Sequence, residues 1–401
     1  MKNGSWRVFC LALSLVLSGC KGFWDLPAGS GGGGGTTPTT LNSGIFYVLN
    51  QKTSQIAGYS ISSGTLTSIS GSPYALAAAP SAIAVASSGT YLYVATINGI
   101  YLYSVGSGGA LTIANNGTPV SSDIATAMVV SGSWLVDAFP TGGGAVQLDA
   151  IPIDPSSGLY TGTGGSPPFQ TFSINNATLY QMVLSPDGKN LFLALGAGGT
   201  IVVPFTSGNS NPLATSATTI GPLNTGGSAL SVAVDPNNRV FYIGETLANS
   251  SASSGGLRVF NYSSLGSGTN HPVLTQASGS PIASGGLAPN AILPIASGEY
   301  VYVANGTGNT SHGNVAWFPL TASGTTYTIA TGKNVGTGVY PIGLAEDSEA
   351  NFVLAVSTGG STSSGNYDLE AYTMSSGALT AAIVSATGTD PVGAVAIAAL
   401  P

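Results

Sequence analysis

Three side chains of this sequence could do chemistry together: Glu245, Arg258 and His312. Glu245 ends the apolar run 240–245, and Arg258 lies in the next apolar run along the chain. Opening a lactone with water requires a base for the water and a cation or donor for the developing oxyanion. The sequence therefore predicts a catalytic site with Glu245 as base, Arg258 as oxyanion partner and His312 in a long polar loop. A plain salt bridge between Glu245 and Arg258 is the alternative.

Other kinds of site have little support in the sequence. The two histidines, His271 and His312, lie about 40 residues apart without a run of carboxylates near either one, which is a poor pattern for a metal site. The glycine run 142–144 does not follow a strand and open a helix, so it is not a dinucleotide-binding loop. We therefore expect no cofactor and no metal ion.

Internal repeats predict the elements that must position these side chains. Each repeat has a short apolar strand, a tight polar turn, a second apolar strand, a loop of small residues and a third, alternating strand. The repeats begin near residues 80, 125, 179, 229, 289, 341 and 391. Their spacing of 45 to 60 residues is typical of β-propeller blades. No segment after residue 43 shows sustained helical periodicity with caps, so the prediction is an all-β fold, a seven-bladed β-propeller over residues 44–401. A string of immunoglobulin-like sandwiches is the alternative.

The two ends of the chain each supply part of one repeat. Residues 391–401 match only a first strand, whereas residues 44–79 contain the later strands without the first. Together they make one blade, so we expect the N- and C-terminal segments to share a blade and close the ring. Closure of this kind removes a free sheet edge that would otherwise invite aggregation.

Several phrases of the repeats resemble those of the seven-bladed lactonase family, which groups 6-phosphogluconolactonase-like and carboxymuconate-cyclase-like proteins near the YVTN-type surface propellers. They include YLYVAT (91–96), YVYVANGTG (300–308) and SGALTAAIVSATGTDPVGAVAI (376–397). The resemblance covers residues 44–401 and implies a propeller whose enzymes act on one face with Arg, His and Glu side chains. It also implies an Arg-His pair opening the first strand of the fifth blade and a Glu ending its second strand. Leu230 and Ser231 stand at the positions of that pair, and Glu245 keeps the carboxylate.

The first 43 residues indicate export and a membrane anchor. Lys2 and Arg7 precede an apolar run of about ten residues, which is too short to span a bilayer as a helix. The following Leu17-Ser18-Gly19-Cys20 resembles a bacterial lipobox, which implies a signal peptide over residues 1–19 and a lipid on Cys20. Residues 20–43 then form a Gly-, Thr- and Pro-rich tether. By resemblance to Gram-negative lipoproteins, the absence of Asp after Cys20 implies the outer membrane.

Charge and composition restrict the partners. Only 6% of the 401 residues are charged, and the net charge is −7. Such a chain has no cationic surface for nucleic acid, so we expect no nucleic-acid partner. Residues 44–401 contain five basic and 14 acidic side chains, which argues against electrostatic docking to anionic lipid. We expect a monomer whose membrane contact is the lipid on Cys20.

Three functions remain in competition. The first is a non-catalytic envelope propeller that binds an unknown protein, glycan or small molecule at one face, and the missing Arg-His pair favours it. The second is a lactonase acting on a sugar or aromatic lactone, which Glu245 and the resemblance favour. The third is a quinone-dependent dehydrogenase, whose cationic, metal-holding pocket five basic residues do not supply.

Overall fold

A computed structural model describes residues 44–62, 65–162, 170–250, 254–263, 272–306, 312–323, 326–330, 332–360, 367–384 and 393–401. Within these ranges the chain forms thirty β-strands and two 3₁₀-helices, Ser107–Gly109 and Asn115–Gly117. The predicted all-β fold is therefore confirmed. The predicted signal peptide 1–19, the predicted lipid site Cys20 and the predicted tether 20–43 lie outside the described residues. A search of the described part for a helix long and apolar enough to cross a membrane finds none.

The strands follow one another along the chain in short, closely spaced segments. The first sixteen are β1 (Ile45–Asn50), β2 (Gln55–Ser62), β3 (Thr65–Ser68), β4 (Tyr74–Ala75), β5 (Pro80–Val85), β6 (Tyr91–Thr96), β7 (Gly99–Val105), β8 (Leu111–Ile113), β9 (Ala127–Ser131), β10 (Trp134–Thr141), β11 (Ala145–Pro152), β12 (Gln170–Ile174), β13 (Gln181–Leu184), β14 (Asn190–Ala194), β15 (Thr200–Pro204) and β16 (Thr218–Ile220). The others are β17 (Ala229–Val234), β18 (Val240–Glu245), β19 (Gly256–Ser263), β20 (Val273–Gln276), β21 (Ile282–Ala283), β22 (Ala288–Pro294), β23 (Tyr300–Gly306), β24 (His312–Ser323), β25 (Thr326–Ile329), β26 (Lys333–Glu346), β27 (Phe352–Gly359), β28 (Leu369–Ser375), β29 (Ala378–Val384) and β30 (Ala394–Ala399).

Hydrogen bonds gather the described strands into six antiparallel sheets. Three sheets have four strands each: β5–β8, β9–β12 and β13–β16. β17–β21 form a sheet of five strands, in which β21 pairs with β19. β1–β4 form another sheet with β30, and β22–β29 form a single sheet of eight strands because β24 also pairs with β26. Every predicted repeat start lies in a strand or within three residues of one. The count of seven separate blades stays a prediction, since the hydrogen bonds define six sheets.

The first strands of the repeats are arranged in a circle. β5, β9, β13, β17, β22, β26 and β30 contact one another in this order, and β30 also contacts β5. This closed circle of inner strands is the arrangement of a β-propeller. β30 pairs with β1, with Phe46 opposite Ala399 and Val48 opposite Ile397, so the prediction that the two terminal segments share one sheet is confirmed.

The tight turns form where the sequence predicts them. Asp235-Pro236-Asn237-Asn238 connects β17 to β18, and the Asn238 N–H donates to the Asp235 carbonyl over 2.8 Å. Asn238 adopts a positive φ of 55°, which asparagine tolerates better than most residues. In the turn after β13, Gly188 has a φ of 68° and its N–H donates to Ser185 over 2.8 Å. These two turns connect β13 to β14 and β17 to β18 and so set the register of these two strand pairs.

The core lies between neighbouring sheets. Alternate residues of a strand point to opposite faces, so each second strand contributes to two apolar clusters. In β10, for example, Leu135 packs in a cluster with β5–β7, whereas Val136 packs in another with β13–β15. The sheets are therefore buried on both faces, which explains why the second strands are almost continuously apolar.

We call the side of the ring at which the first strands begin the start face. Polar side chains of one repeat bond to the backbone of the next there: Ser81 Oγ donates to the Ala125 carbonyl over 2.6 Å, and Asn290 Nδ2 donates to Pro341 over 2.9 Å. The second strands end and the third strands begin at this same face, because neighbouring strands are antiparallel. Glu245, at the end of β18, and His312, at the beginning of β24, therefore both lie at the start face.

Candidate functional site: a buried ion pair at the start face

Glu245 and Arg258 are brought together by the pairing of β18 with β19. Gly256 is the register partner of Glu245, and Arg258 lies two residues further along β19. Arg258 Nη1 donates to Glu245 Oε1 over 3.1 Å. Glu245 is 1% exposed and Arg258 is 9% exposed, so the pair is shielded from solvent. Their proximity agrees with the expectation from the sequence, and the strand pairing explains it.

The rest of the Arg258 guanidinium is also engaged. Its Nε donates to Gln276 Oε1 over 2.9 Å, and Nη1 donates a second bond to the Gly221 carbonyl over 2.9 Å. Its Cζ atom lies 5.0 Å from the centroid of the Phe260 ring, within the range of a cation–π contact. These contacts hold the cation in one position within the sheet.

The second oxygen of Glu245 is occupied as well. Glu245 Oε2 accepts a hydrogen bond from the Leu223 N–H over 3.2 Å. Gly221 and Leu223 belong to the connection between β16 and β17, so the ion pair fastens this connection to β18 and β19. Asn224 Nδ2 adds a bond to the Leu247 carbonyl over 3.1 Å. The sequence does not predict these partners, because a connection without a regular pattern gives no sign of what its backbone will bond to.

A carboxylate held in this way is a poor general base. To activate water it would need an oxygen directed at the water, yet each Glu245 oxygen already accepts a bond from the protein. Breaking such a pair would leave a charge buried without its partner, which typically costs 3–5 kcal/mol. The geometry therefore supports the alternative interpretation made from the sequence, a structural salt bridge.

The other predicted positions have different surroundings, and Leu230 and Ser231 lie on β17, the strand that pairs with β18. His312 is exposed and is the first residue of β24, paired with Val339, rather than part of a loop as predicted. Ser231, where the family resemblance implies one member of an Arg-His pair, is fully buried, and its Oγ donates to the Pro289 carbonyl over 2.6 Å. Leu230 is 8% exposed. Ser231 therefore links its repeat to the next one, and Leu230 is a buried packing residue.

The start face also carries exposed apolar side chains. Five of the seven large hydrophobic residues that are exposed in the described part of the chain lie in its connections: Ile97, Ile124, Tyr180, Leu223 and Leu287, with exposed fractions of 60, 51, 53, 45 and 41%. They lie in five different connections: the one between β6 and β7, and the four that lead into β9, β13, β17 and β22. Isolated exposed apolar residues are ordinary, whereas a contiguous apolar patch is typical of a surface that meets a partner.

Solved structures with the same fold include lactone hydrolases. A candidate 6-phosphogluconolactonase from Bacteroides uniformis is 17% identical, with a TM-score of 0.67, and the match covers 89% of this chain and 99% of the other. The periplasmic gluconolactonase PpgL of Pseudomonas aeruginosa is 18% identical, with a TM-score of 0.65, and the match covers 89% and 99%. A second candidate 6-phosphogluconolactonase, from Bacteroides fragilis, is 15% identical, with a TM-score of 0.64 and coverage of 91% and 100%.

These likenesses show that the chain has the fold of the lactonase-like β-propellers. No protein-family model matches the sequence, and no curated protein matches it with significant similarity. At identities below a fifth, the resemblance establishes the fold and not the activity.

Proposed function

We propose that this protein is a cell-envelope β-propeller that binds a partner through its start face and does not hydrolyse lactones. The observation that carries the proposal is the set of exposed apolar side chains in five connections at that face. An interface that excludes water needs such groups at its centre, with polar groups around them. A protein or a glycan with apolar sugar faces has the chemistry to bind there.

The buried ion pair acts in this proposal as support for the binding surface. Glu245 and Arg258 bond to Leu223 and Gly221, and the Leu223 side chain is 45% exposed. Fixing the backbone of the connection before binding lowers the entropy that binding would otherwise cost. The predicted catalytic pair is thereby assigned a positioning role.

The binding proposal is tested by crosslinking. A photoreactive amino acid at residue 224, beside Leu223, should capture a specific envelope component in cells that produce the full chain. The double variant Tyr180→Ala, Leu223→Asp should give at least tenfold less of the crosslinked product. Ile113→Asp is the matched control, because Ile113 is 47% exposed but lies on the outer strand β8. Equal loss with the control, or no loss with the double variant, would contradict the proposal.

A lactonase is the second candidate, favoured by the fold that this chain shares with PpgL of P. aeruginosa. Removing one good oxyanion donor costs about 10²–10³ in rate, and Leu230 and Ser231 replace two groups that the resemblance implies. We therefore expect a panel of sugar and aromatic lactones to be hydrolysed far below an ordinary turnover of about 10 s⁻¹. Ordinary turnover that Glu245→Gln abolishes and Glu299→Gln, an exposed control, preserves would establish the enzyme instead.

The location is proposed on the sequence of the first 43 residues. A signal peptide over 1–19 would export the chain, a lipid on Cys20 would hold it to the envelope, and the tether 20–43 would keep the propeller clear of the lipid surface. The outer membrane is the proposed membrane, because Lys21 rather than Asp follows the cysteine.

A further inference from the structure

Three carboxylates converge where the β5–β8 sheet meets the β9–β12 sheet. Asp137 of β10 and Asp149 of β11 are register partners, so their side chains project from the same face. Asp123 comes from the connection between β8 and β9. One oxygen from each residue lies within 4.8 Å of the other two. Asp137 is 0% exposed and Asp149 is 1% exposed, whereas Asp123 is only partly buried.

The charge of this cluster is not balanced within the described part of the protein. Neither oxygen of Asp137 has a hydrogen-bond partner of good geometry among the described residues, although the Asp149 backbone N–H lies near enough to favour its charged form. Asp149 accepts two bonds from Gln147 Nε2, at 3.0 and 2.9 Å, and Asp123 accepts one from Ser121 Oγ at 2.5 Å. These neutral donors orient two of the carboxylates but bring no positive charge. A buried carboxylate without a donor or a cation is strongly unfavourable.

The other repeats show how unusual Asp137 is. It is the fourth residue of its repeat's second strand, and the fourth residue of every other second strand is a buried apolar one: Val48, Val94, Leu193, Ile243, Val303 and Ala355. The apolar cluster that Asp137 faces would accept such a residue, since Leu135 and Ile151 beside it are fully buried. The fold therefore does not require an acid at this position.

The Glu245–Arg258 site shows what is missing from the cluster. Arg258 is the register partner of Ile243, so it occupies in its sheet the place that Asp149 occupies opposite Asp137. There the Arg258 guanidinium holds the connection before the first strand, β17, against the second and third strands, β18 and β19. At the Asp cluster the preceding connection supplies Asp123 and the third strand supplies Asp149, so a positive charge is needed between them.

We propose that Asp123, Asp137 and Asp149 bind a hard divalent cation such as Ca²⁺, which fastens the 121–124 connection to β10 and β11. Oxygens up to 4.8 Å apart can share a Ca²⁺ ion, because its ligands lie at 2.3–2.6 Å on different sides of the metal. Three carboxylates and no nitrogen or sulfur ligand favour Ca²⁺, Mg²⁺ or Mn²⁺ over zinc or copper. Gln147 and Ser121 orient the ligands from behind. Asp123, which is partly exposed, provides the route from solvent, and the water that completes the coordination enters beside it.

Without a cation the cluster would have to hold protons. Burial, together with the carboxylates of Asp123 and Asp149, raises the pKa of Asp137 well above its ordinary value. Burial likewise raises the pKa of Asp149. A proton on Asp137 is thus the competing way to neutralise the cluster, and the experiment must separate it from a metal ion.

The test measures cation binding by the full chain. After treatment with a chelator and dialysis against Ca²⁺, atomic emission should find one Ca²⁺ per chain, and titration calorimetry should give a single site. At a free Ca²⁺ concentration a hundred times Kd, the Tm should rise by about 3–4 °C. Mg²⁺ and Mn²⁺ are titrated in parallel, and failure of all three to bind at millimolar concentration overturns the proposal.

Three variants separate the site from general folding. Asp123→Asn, at the partly exposed ligand, should weaken Ca²⁺ binding at least tenfold and keep the fold. Asp137→Val restores the residue type of the other repeats, so it should abolish binding and leave the metal-free Tm unchanged or higher. Asp154→Asn is the matched control, since Asp154 lies in a turn of the same repeat and bonds to Ser156. Wild-type affinity in Asp123→Asn, or equal weakening by Asp154→Asn, overturns the proposal.

Discussion

Buried carboxylates of this protein differ in how their charge is balanced. Glu245 has Arg258, and Asp235 accepts two bonds from Arg239 at 2.8 and 2.9 Å. Glu346, at the end of β26, is 1% exposed, and no cation among the described residues influences its pKa. Its Oε2 accepts the Ala296 N–H over 2.8 Å, while Oε1 has no described partner. With only five basic residues in 44–401, the chain cannot pair every buried acid.

Glu346 makes stability depend on pH. Burial, assisted by the charge of Asp347, raises its pKa to about 7 from an ordinary 4.5. The folded state binds this proton more tightly than the unfolded state, so the stabilisation is complete below pH 4.5 and is lost as the pH rises through 7. Glu346→Gln should remove that loss and make the protein more stable at pH 8 by up to about 3 kcal/mol. Urea unfolding at pH 5 and pH 8 measures the difference, with exposed Glu299→Gln as the control. A gain at pH 5 as large as at pH 8 would contradict the assignment.

The sequence predicts pairs of residues well when the residues lie on neighbouring strands of one repeat. Glu245 and Arg258 satisfy this condition, and their contact was predicted. Asp123, Asp137 and Asp149 do not form a recognisable pattern, because strand pairing and a long connection bring them together across gaps of 14 and 12 residues. Aligning the second strands and noting the one acid among apolar residues would have identified Asp137. The exposure of His312 depends on the packing of its strand, which a single sequence does not encode locally.

For the strands and turns, the repeat pattern gave more correct predictions than the candidate catalytic residues gave for the site. Repeat starts, turns and the shared terminal sheet all depend on local residue choices, such as Pro-Asn turns and apolar strands, so they can be inferred from the sequence. The pairing of β24 with β26, which merges two repeats into one sheet, was not predicted. Edge-to-edge pairing depends on how closely neighbouring units approach, and no local pattern records that distance.

β30 is the element on which ring closure depends. It pairs with β1 and contacts β26 on one side and β5 on the other. Deleting residues 391–401 would expose the edge of β1 and the apolar residues Phe46 and Val48 that pack beneath it. We expect loss of a single cooperative unfolding transition and marked aggregation, measured by calorimetry and light scattering. Removing only Pro401, an exposed residue, should change neither. An unchanged Tm in the longer deletion would show that the ring does not depend on β30.

At the scale of the whole molecule, charge and shape suit a propeller that is tethered rather than adsorbed. Residues 44–401 carry a net charge of −9, from five basic and 14 acidic side chains, so anionic lipid repels them. The exposed apolar residues of the start face lie in five connections of the ring. If residues 20–43 form the predicted tether, that face could turn toward the proposed partner at a distance from the membrane.

The membrane contact should therefore reside in one residue. If Cys20 carries the lipid, Cys20→Ser should move the whole protein from the membrane fraction to the soluble fraction, and labelled palmitate should no longer enter it. A single acyl chain binds membranes only marginally, whereas two or more anchor a protein stably, so the wild type should resist a high-salt wash that removes electrostatically bound proteins. Cys10→Ser is the matched control, because residue 10 lies in the predicted signal peptide and its loss should leave both labelling and fractionation unchanged. Membrane retention of Cys20→Ser after the salt wash would show that another part of the chain holds the protein to the envelope.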